Sequence, residues 1–175
     1  MPSATDYNGG SQPFQIFQRS NLACPYFMPV EKLQSGAWPH PARLPLGGGW
    51  RGHCTAPGHE GEYPPQESLQ AFCNLGYADG CKWAPRERLC GAVRFAVVAP
   101  SDLDPAEHAE GRVAGGDVQA RVLRLMYVCE RDHRPLEHGH LEFDLSRQVW
   151  LRGHNDARIQ RMAECFLEAY LKKKA

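Results

Sequence analysis

Seven cysteines are the residues of this chain best suited to chemistry, and five of them fall between positions 24 and 90. Thiolates are soft ligands, and four of them satisfy either a tetrahedral Zn²⁺ or a four-iron cluster. Cys24, Cys54, Cys73 and Cys81 form the candidate set, separated by 29, 18 and 7 residues. Structural zinc sites usually draw sulfurs from close pairs, C-x2–4-C, and this set contains none. Widely separated single cysteines suit a larger cluster, which each ligand approaches from its own direction. The spacing therefore predicts an iron–sulfur centre of the 4Fe-4S type, with Zn²⁺ as the alternative. The plainest reading stays beside both: cysteine is among the most buried residue types, and a buried thiol needs no ligand. Cys90 is the substitute if one of the four is misassigned. Cys129 and Cys165 lie on apolar faces and are expected in the core.

The surroundings lean the same way. Cys24 precedes Pro25, and a Cys-Pro step recurs beside cluster ligands in bacterial ferredoxins. Trp38, Trp50, Trp83, Tyr26, Phe27, Phe72 and Tyr77 share this stretch and can exclude solvent from a cluster. Gly47, Gly48, Gly49 and Gly52 can bring backbone amides close to sulfur. His53 and His59 flank Cys54 and are substitute ligands, with a bystander role the simpler expectation.

The segments CPYFMP, LPLGGGWRGHC and LQAFCNLGYADGC together resemble a cysteine arrangement of small uncharacterised bacterial proteins. These have a Cys-Pro, a distant Cys, a Cys on a helix and a last Cys a short loop later. Similar arrangements occur in larger bacterial proteins of diverse architecture. The resemblance covers residues 24–81 and implies a four-cysteine centre, with no reaction attached. The chain departs from the pattern at Lys82, where Pro is common, which removes no ligand.

A second group is His133, His138 and His140. On a strand, His138, His140 and Glu142 project from one face, the donor set of a two-His, one-carboxylate metal site. Alternation with Leu141 and Phe143 predicts instead the solvent side of a half-buried sheet. Cys129-Glu130-Arg131-Asp132-His133 is a catalytic-looking assortment, yet it holds only residue types that any turn can carry. There is no G-x-x-x-x-G-K-[ST], no G-x-G-x-x-G after a strand, no H-E-x-x-H and no G-x-S-x-G. A familiar nucleotide-dependent enzyme is disfavoured, and the sequence assigns no enzymatic reaction.

The elements that must position these residues change character near position 90. Before it, Pro and Gly are dense, so loops and turns dominate and a bound metal is the natural staple. One helix is expected there, opened by Pro64-Pro65-Gln66-Glu67 and closed by Gly76, with Leu69, Phe72 and Cys73 on one face. After Cys90, strands are predicted over Ala92–Ala99, Gln119–Arg131, Leu136–Leu145 and Gln148–Leu151. On the second, Leu123, Leu125, Tyr127 and Cys129 share a face. A C-terminal helix follows, capped by Asn155 or Asp156, with Ile159, Met162, Ala163, Phe166 and Tyr170 as its apolar stripe. The predicted fold is α+β: a Pro/Gly-rich four-cysteine lobe (14–90) attached to a small antiparallel sheet covered by the C-terminal helix (91–175). Residues 1–13 are expected to be disordered, and Ser101–Gly116, acidic and Gly-rich, to form a mobile loop.

Composition bounds the rest. The 175 residues carry 42% hydrophobic and 23% charged side chains, ordinary for a folded domain. Lys plus Arg equals Asp plus Glu at 20 each, and residues 1–90 balance at seven each. A nucleic-acid partner is not indicated, since phosphate neutralisation normally demands a basic excess. No apolar run approaches the ~20 residues that span a bilayer, and the first residues lack a secretory pattern. A cytoplasmic protein is expected, with an unidentified protein partner as the companion of the zinc alternative. An odd cysteine count points away from a disulfide framework.

Overall fold

The computed structural model describes residues 22–34, 44–77, 80–88, 90–98 and 122–174. The expectations for residues 1–13 and 101–116, and the ring of Trp38, lie outside these described residues.

The architecture is mixed α+β, with a small antiparallel sheet and a C-terminal helix. Five strands form the main sheet in the order β1 (Leu22–Ala23), β4 (Ala92–Val97), β5 (Val122–Arg131), β6 (Arg134–Asp144) and β7 (Val149–Arg152). β2 (Phe27–Lys32) and β3 (Trp50–Cys54) make a separate two-stranded ribbon. Alternation sets the main sheet's core face. Val93 and Phe95 of β4, Leu125 and Cys129 of β5, and Leu141 and Phe143 of β6 are buried on it, with Val93 opposite Cys129 and Leu125 opposite Leu141. β5 and β6 are joined by a two-residue turn in which Asp132 (φ 51°) and His133 (φ 60°) are both left-handed. That is the hairpin geometry whose twist matches the flanking strands, and Asp and His tolerate it better than most residues.

The last helix, α2, spans Ala157–Lys174. Asp156 caps it: its Oδ1 accepts from the Arg158 amide at 2.8 Å. Ile159, Met162 and Ala163 are buried as the periodicity predicts, but so are Cys165, Leu167 and Ala169. The stripe is wider than expected because α2 packs on two partners. Phe166 meets Phe95 of the sheet at 5.9 Å between ring centroids. On the ribbon side, the Arg161 guanidinium donates to the Pro29 and Val30 carbonyls of β2 at 3.0 and 3.3 Å. Gly47 lies against Ala169 so closely that a Cβ would sit 2.2 Å from the Ala169 Cβ. Helix, ribbon and sheet thus share one core, into which Cys24 and Cys73 are drawn with Phe27, Trp50 and Met162.

No helix among the described residues is long and apolar enough to cross a membrane.

Candidate metal centre

Four separate pieces of local structure deliver Cys24, Cys54, Cys73 and Cys81 to one place. Cys24 opens a tight turn: its carbonyl accepts from Phe27 N at 3.1 Å, and Pro25 pre-sets the backbone of the second position. Antiparallel pairing of β2 with β3 sets Phe27 opposite Cys54, so the turn and the end of β3 come to the same end of the ribbon. Gly52 makes that pairing possible, because a Cβ there would sit 2.0 Å from the Met28 carbonyl oxygen. Cys54 itself is gripped by the loop that follows, donating to Glu62 O at 2.8 Å and accepting from Gly61 N at 2.9 Å through its backbone.

Cys73 ends a short helix that begins as one α turn, Gln66–Ser68, behind Pro65 and widens into a π turn, Leu69–Cys73. The expected start and the buried positions Leu69 and Cys73 are present; Phe72 is half-buried. Gly76, at φ +66°, closes the segment, and a Cβ there would press on Leu22 and Ala23 at 3.1 Å. The Cys73 carbonyl then accepts from Cys24 N at 3.4 Å. Cys81 arrives on the following loop, half-exposed, its carbonyl bonded to Ala84 N at 3.3 Å.

All four cysteines line a single cavity closed by Tyr26, Phe27, Ala56, Phe72 and Trp83. Each lies within electrostatic reach of the other three. Burial pushes the Cys24 thiol up to about 12, and the Cys54 and Cys81 sulfurs add to the cost of ionising it. Burial also raises Cys54 and Cys73, the latter further opposed by its three partners. Four thiolates in an apolar cavity repel one another and lack solvation, so the set is either neutral or held around a cation. One amide already serves a sulfur: Ala56 N donates to Cys54 Sγ at 3.4 Å. Hydrogen bonds of this kind tune iron–sulfur potentials.

The donor chemistry therefore fits a metal or cluster. The cavity measures about 20 Å³, room for a guest the size of one water. No three His, Cys, Asp or Glu side chains among the described residues converge as a single metal ion requires. Cys81 is the one cysteine of the four that lines a wider cleft of about 1140 Å³ on its other side.

The remaining sequence expectations sort as follows. Tyr26, Phe27, Phe72 and Trp83 do shield the cavity, whereas Trp50 and Tyr77 lie elsewhere. Gly47 and Gly48 approach Ala169 and Lys32 rather than sulfur, so they serve packing between ribbon and helix. His53 sets its ring edge-on to Tyr63, and His59 bonds Glu62 at 3.0 Å and stacks on Trp83. Neither turns to the cysteines. Of the three candidate donors on β6, His138 is exposed while His140 and Glu142 are half-buried, and Glu142 is held by Arg124 at 2.9 Å.

Cys90 does not join the four. Its thiol donates to Ala92 O at 3.1 Å, while Cys129 and Cys165 are buried in the core. Seven cysteines thus divide into four around the cavity, half-buried Cys90 and two core residues, Cys129 and Cys165. No family model, curated protein or solved structure matches this chain.

Proposed function

We propose that Cys24, Cys54, Cys73 and Cys81 bind a 4Fe-4S cluster, and that the protein serves electron transfer, redox sensing or the cluster-dependent folding of its cysteine lobe. The observation that carries this reading is the gathering of four cysteines, from four separate segments, around one cavity with an otherwise aromatic and aliphatic wall. Once bound, such a cluster takes up and releases single electrons at a potential set by burial and by hydrogen bonds to sulfur. The chain's own contributions are the solvent-excluding rings, the Ala56 amide on Cys54 and the Asn74 brace behind Cys73. Four cysteine ligands leave no open iron, which disfavours substrate chemistry at the cluster. Free thiols belong in a reducing compartment, so the cytoplasm is part of the proposal.

A second reading keeps the other ion that four thiolates satisfy: one structural Zn²⁺, in a protein that acts as an adaptor for a protein partner. Purification without oxygen, a visible spectrum, and iron, sulfide and zinc analysis separate the two. Brown protein with about four irons and four sulfides per chain supports the cluster. Colourless protein with about one zinc per chain supports the alternative. A folded protein carrying neither overturns both.

A further inference from the structure

We propose that the wide cleft beside Cys81 binds a diphosphate group, free or carried by a nucleoside. The cleft measures about 1140 Å³, at the upper end of small-molecule sites and far more than a single tetrahedral anion fills. Lys82, Arg86, Arg88 and Arg131 line it against Glu87 and Asp132, an excess of two positive charges in a chain whose net charge is zero. A concave surface concentrates such a field, so an anion is held more firmly there than on a flat patch. Three of the four cations are arginines, whose planar forks match pairs of phosphate oxygens, and the lysine adds a point charge.

Part of the lining is built to keep its shape. Tyr77 stands in the left-handed region at φ 44°, where a bulky side chain is strained and persists only if its surroundings hold it. Its backbone N donates to Gly91 O at 3.1 Å, and its hydroxyl donates to Glu130 Oε2 at 2.9 Å and accepts from His133 N at 2.8 Å. Glu130 is 5% exposed and paired with Arg94, so this anchor lies beneath the surface. Gly91 N in turn donates to Glu130 O at 2.7 Å. The exposed His133 ring packs on that of Tyr77, centroids 4.2 Å apart, and is a platform on which a nucleobase can stack.

The rest of the lining comes from the segment that carries Lys82, Arg86 and Arg88. Trp83, stacked on His59 at 4.5 Å, and Ala84 N, donating to Cys81 O at 3.3 Å, pin its first half. A site framed before its ligand arrives loses less freedom on filling. The assignment is independent of what the four cysteines hold.

The test is isothermal titration of the full chain at neutral pH and constant ionic strength, without divalent cations, using pyrophosphate, ADP and sulfate. Pyrophosphate should saturate one site per chain, at least tenfold tighter than sulfate. ADP binding at least as tightly as pyrophosphate supports a nucleoside diphosphate as occupant; weaker ADP binding supports the free diphosphate. Arg86→Ala and Arg131→Ala should each weaken binding about tenfold, the worth of one hydrogen bond to a charged group. Both side chains are exposed, so both variants should fold. Asp132→Asn should tighten binding about threefold, because Asp132 pairs with Arg131 at 3.9 Å and competes for it. Asn tolerates the left-handed backbone at φ 51°, so this change removes charge alone. Absence of saturable pyrophosphate binding below about 1 mM overturns the proposal. So does binding that none of the three substitutions alters. Sulfate or a tetraglutamate peptide binding as tightly as pyrophosphate also overturns it, by making the cleft a general surface for acidic partners.

Discussion

Asn74 bonds both backbone polar groups of Trp50: its Oδ1 accepts from Trp50 N at 2.9 Å, and its Nδ2 donates to Trp50 O at 3.1 Å. The same Nδ2 donates to Leu69 O at 3.1 Å. The residue next to Cys73 thus mimics a strand, locking the π turn to the start of β3, whose far end is Cys54. Asn74 is 1% exposed, so none of these partners has water to fall back on.

Asn74→Ala should cost about 2–4 kcal/mol, the penalty for buried backbone groups left unpaired. Urea unfolding of the metal-free protein measures it. A loss below about 0.5 kcal/mol would show that the brace carries little stability.

Gly52 offers a sharper contrast. Its missing Cβ lets the Met28 carbonyl and the Phe27 ring approach, and these belong to the strand that sets Cys24 beside Cys54. Gly52→Ala should destabilise by about 3 kcal/mol through forced separation of the strands, and should reduce metal content with it. Gly58, at φ +84° with nothing within 4 Å of a Cβ, is the control. Gly58→Ala should cost about 1 kcal/mol, from backbone strain alone, and leave metal content intact. Equal effects of the two would remove close strand packing as the reason for Gly52.

The division of labour between these residues bears on what a sequence can disclose. The four cysteines were visible because thiol chemistry depends on residue type, and the sheet and last helix because period-2 and period-3.6 patterns are local. The roles of Gly47, Gly52 and Asn74 depend on which segment lies opposite, and nothing local encodes that. Gly47 and Gly48 therefore read as amide donors to sulfur, while they in fact accommodate Ala169 and Lys32. The breadth of the buried face on α2 also escaped the pattern, because a stripe reveals one partner and α2 has two.

Asp156 supplies a pH-dependent test of the helix cap. The Arg158 side chain and amide hold its carboxyl below the ordinary value of 3.8. A depressed carboxyl contributes stability above its unfolded pKa, and that contribution disappears as pH falls through the folded value. Asp156→Asn keeps a capping side chain but removes the charge. At pH 6 the variant should be less stable by under about 1 kcal/mol, since the pair is partly exposed. The gap should close as pH falls below 3.8. Chemical denaturation at pH 6, 5, 4 and 3 reads it, and a gap that stays constant would assign the effect to shape instead of charge.

The buried thiols make the opposite prediction at high pH, and it separates loaded from empty protein. An acid whose folded pKa is raised keeps its proton in the fold while the unfolded chain ionises. Its contribution is therefore complete below the unfolded value of 9.0 and is lost as pH rises towards the folded value, about 12 for Cys24. In metal-free protein, each such thiol should lower stability by about 1.4 kcal/mol per pH unit across that window. Cys24 and Cys73 both contribute, the second with its pKa raised for the same reason. Cys165, also pushed to about 12, contributes whether or not metal is bound. In loaded protein the four ligands are already thiolates, so their share of the slope should vanish, while that of Cys165 and of buried Cys129, also raised, should remain. Unfolding of both forms between pH 8 and 10 measures the difference. Identical slopes would mean that the bound group does not sit on these four sulfurs.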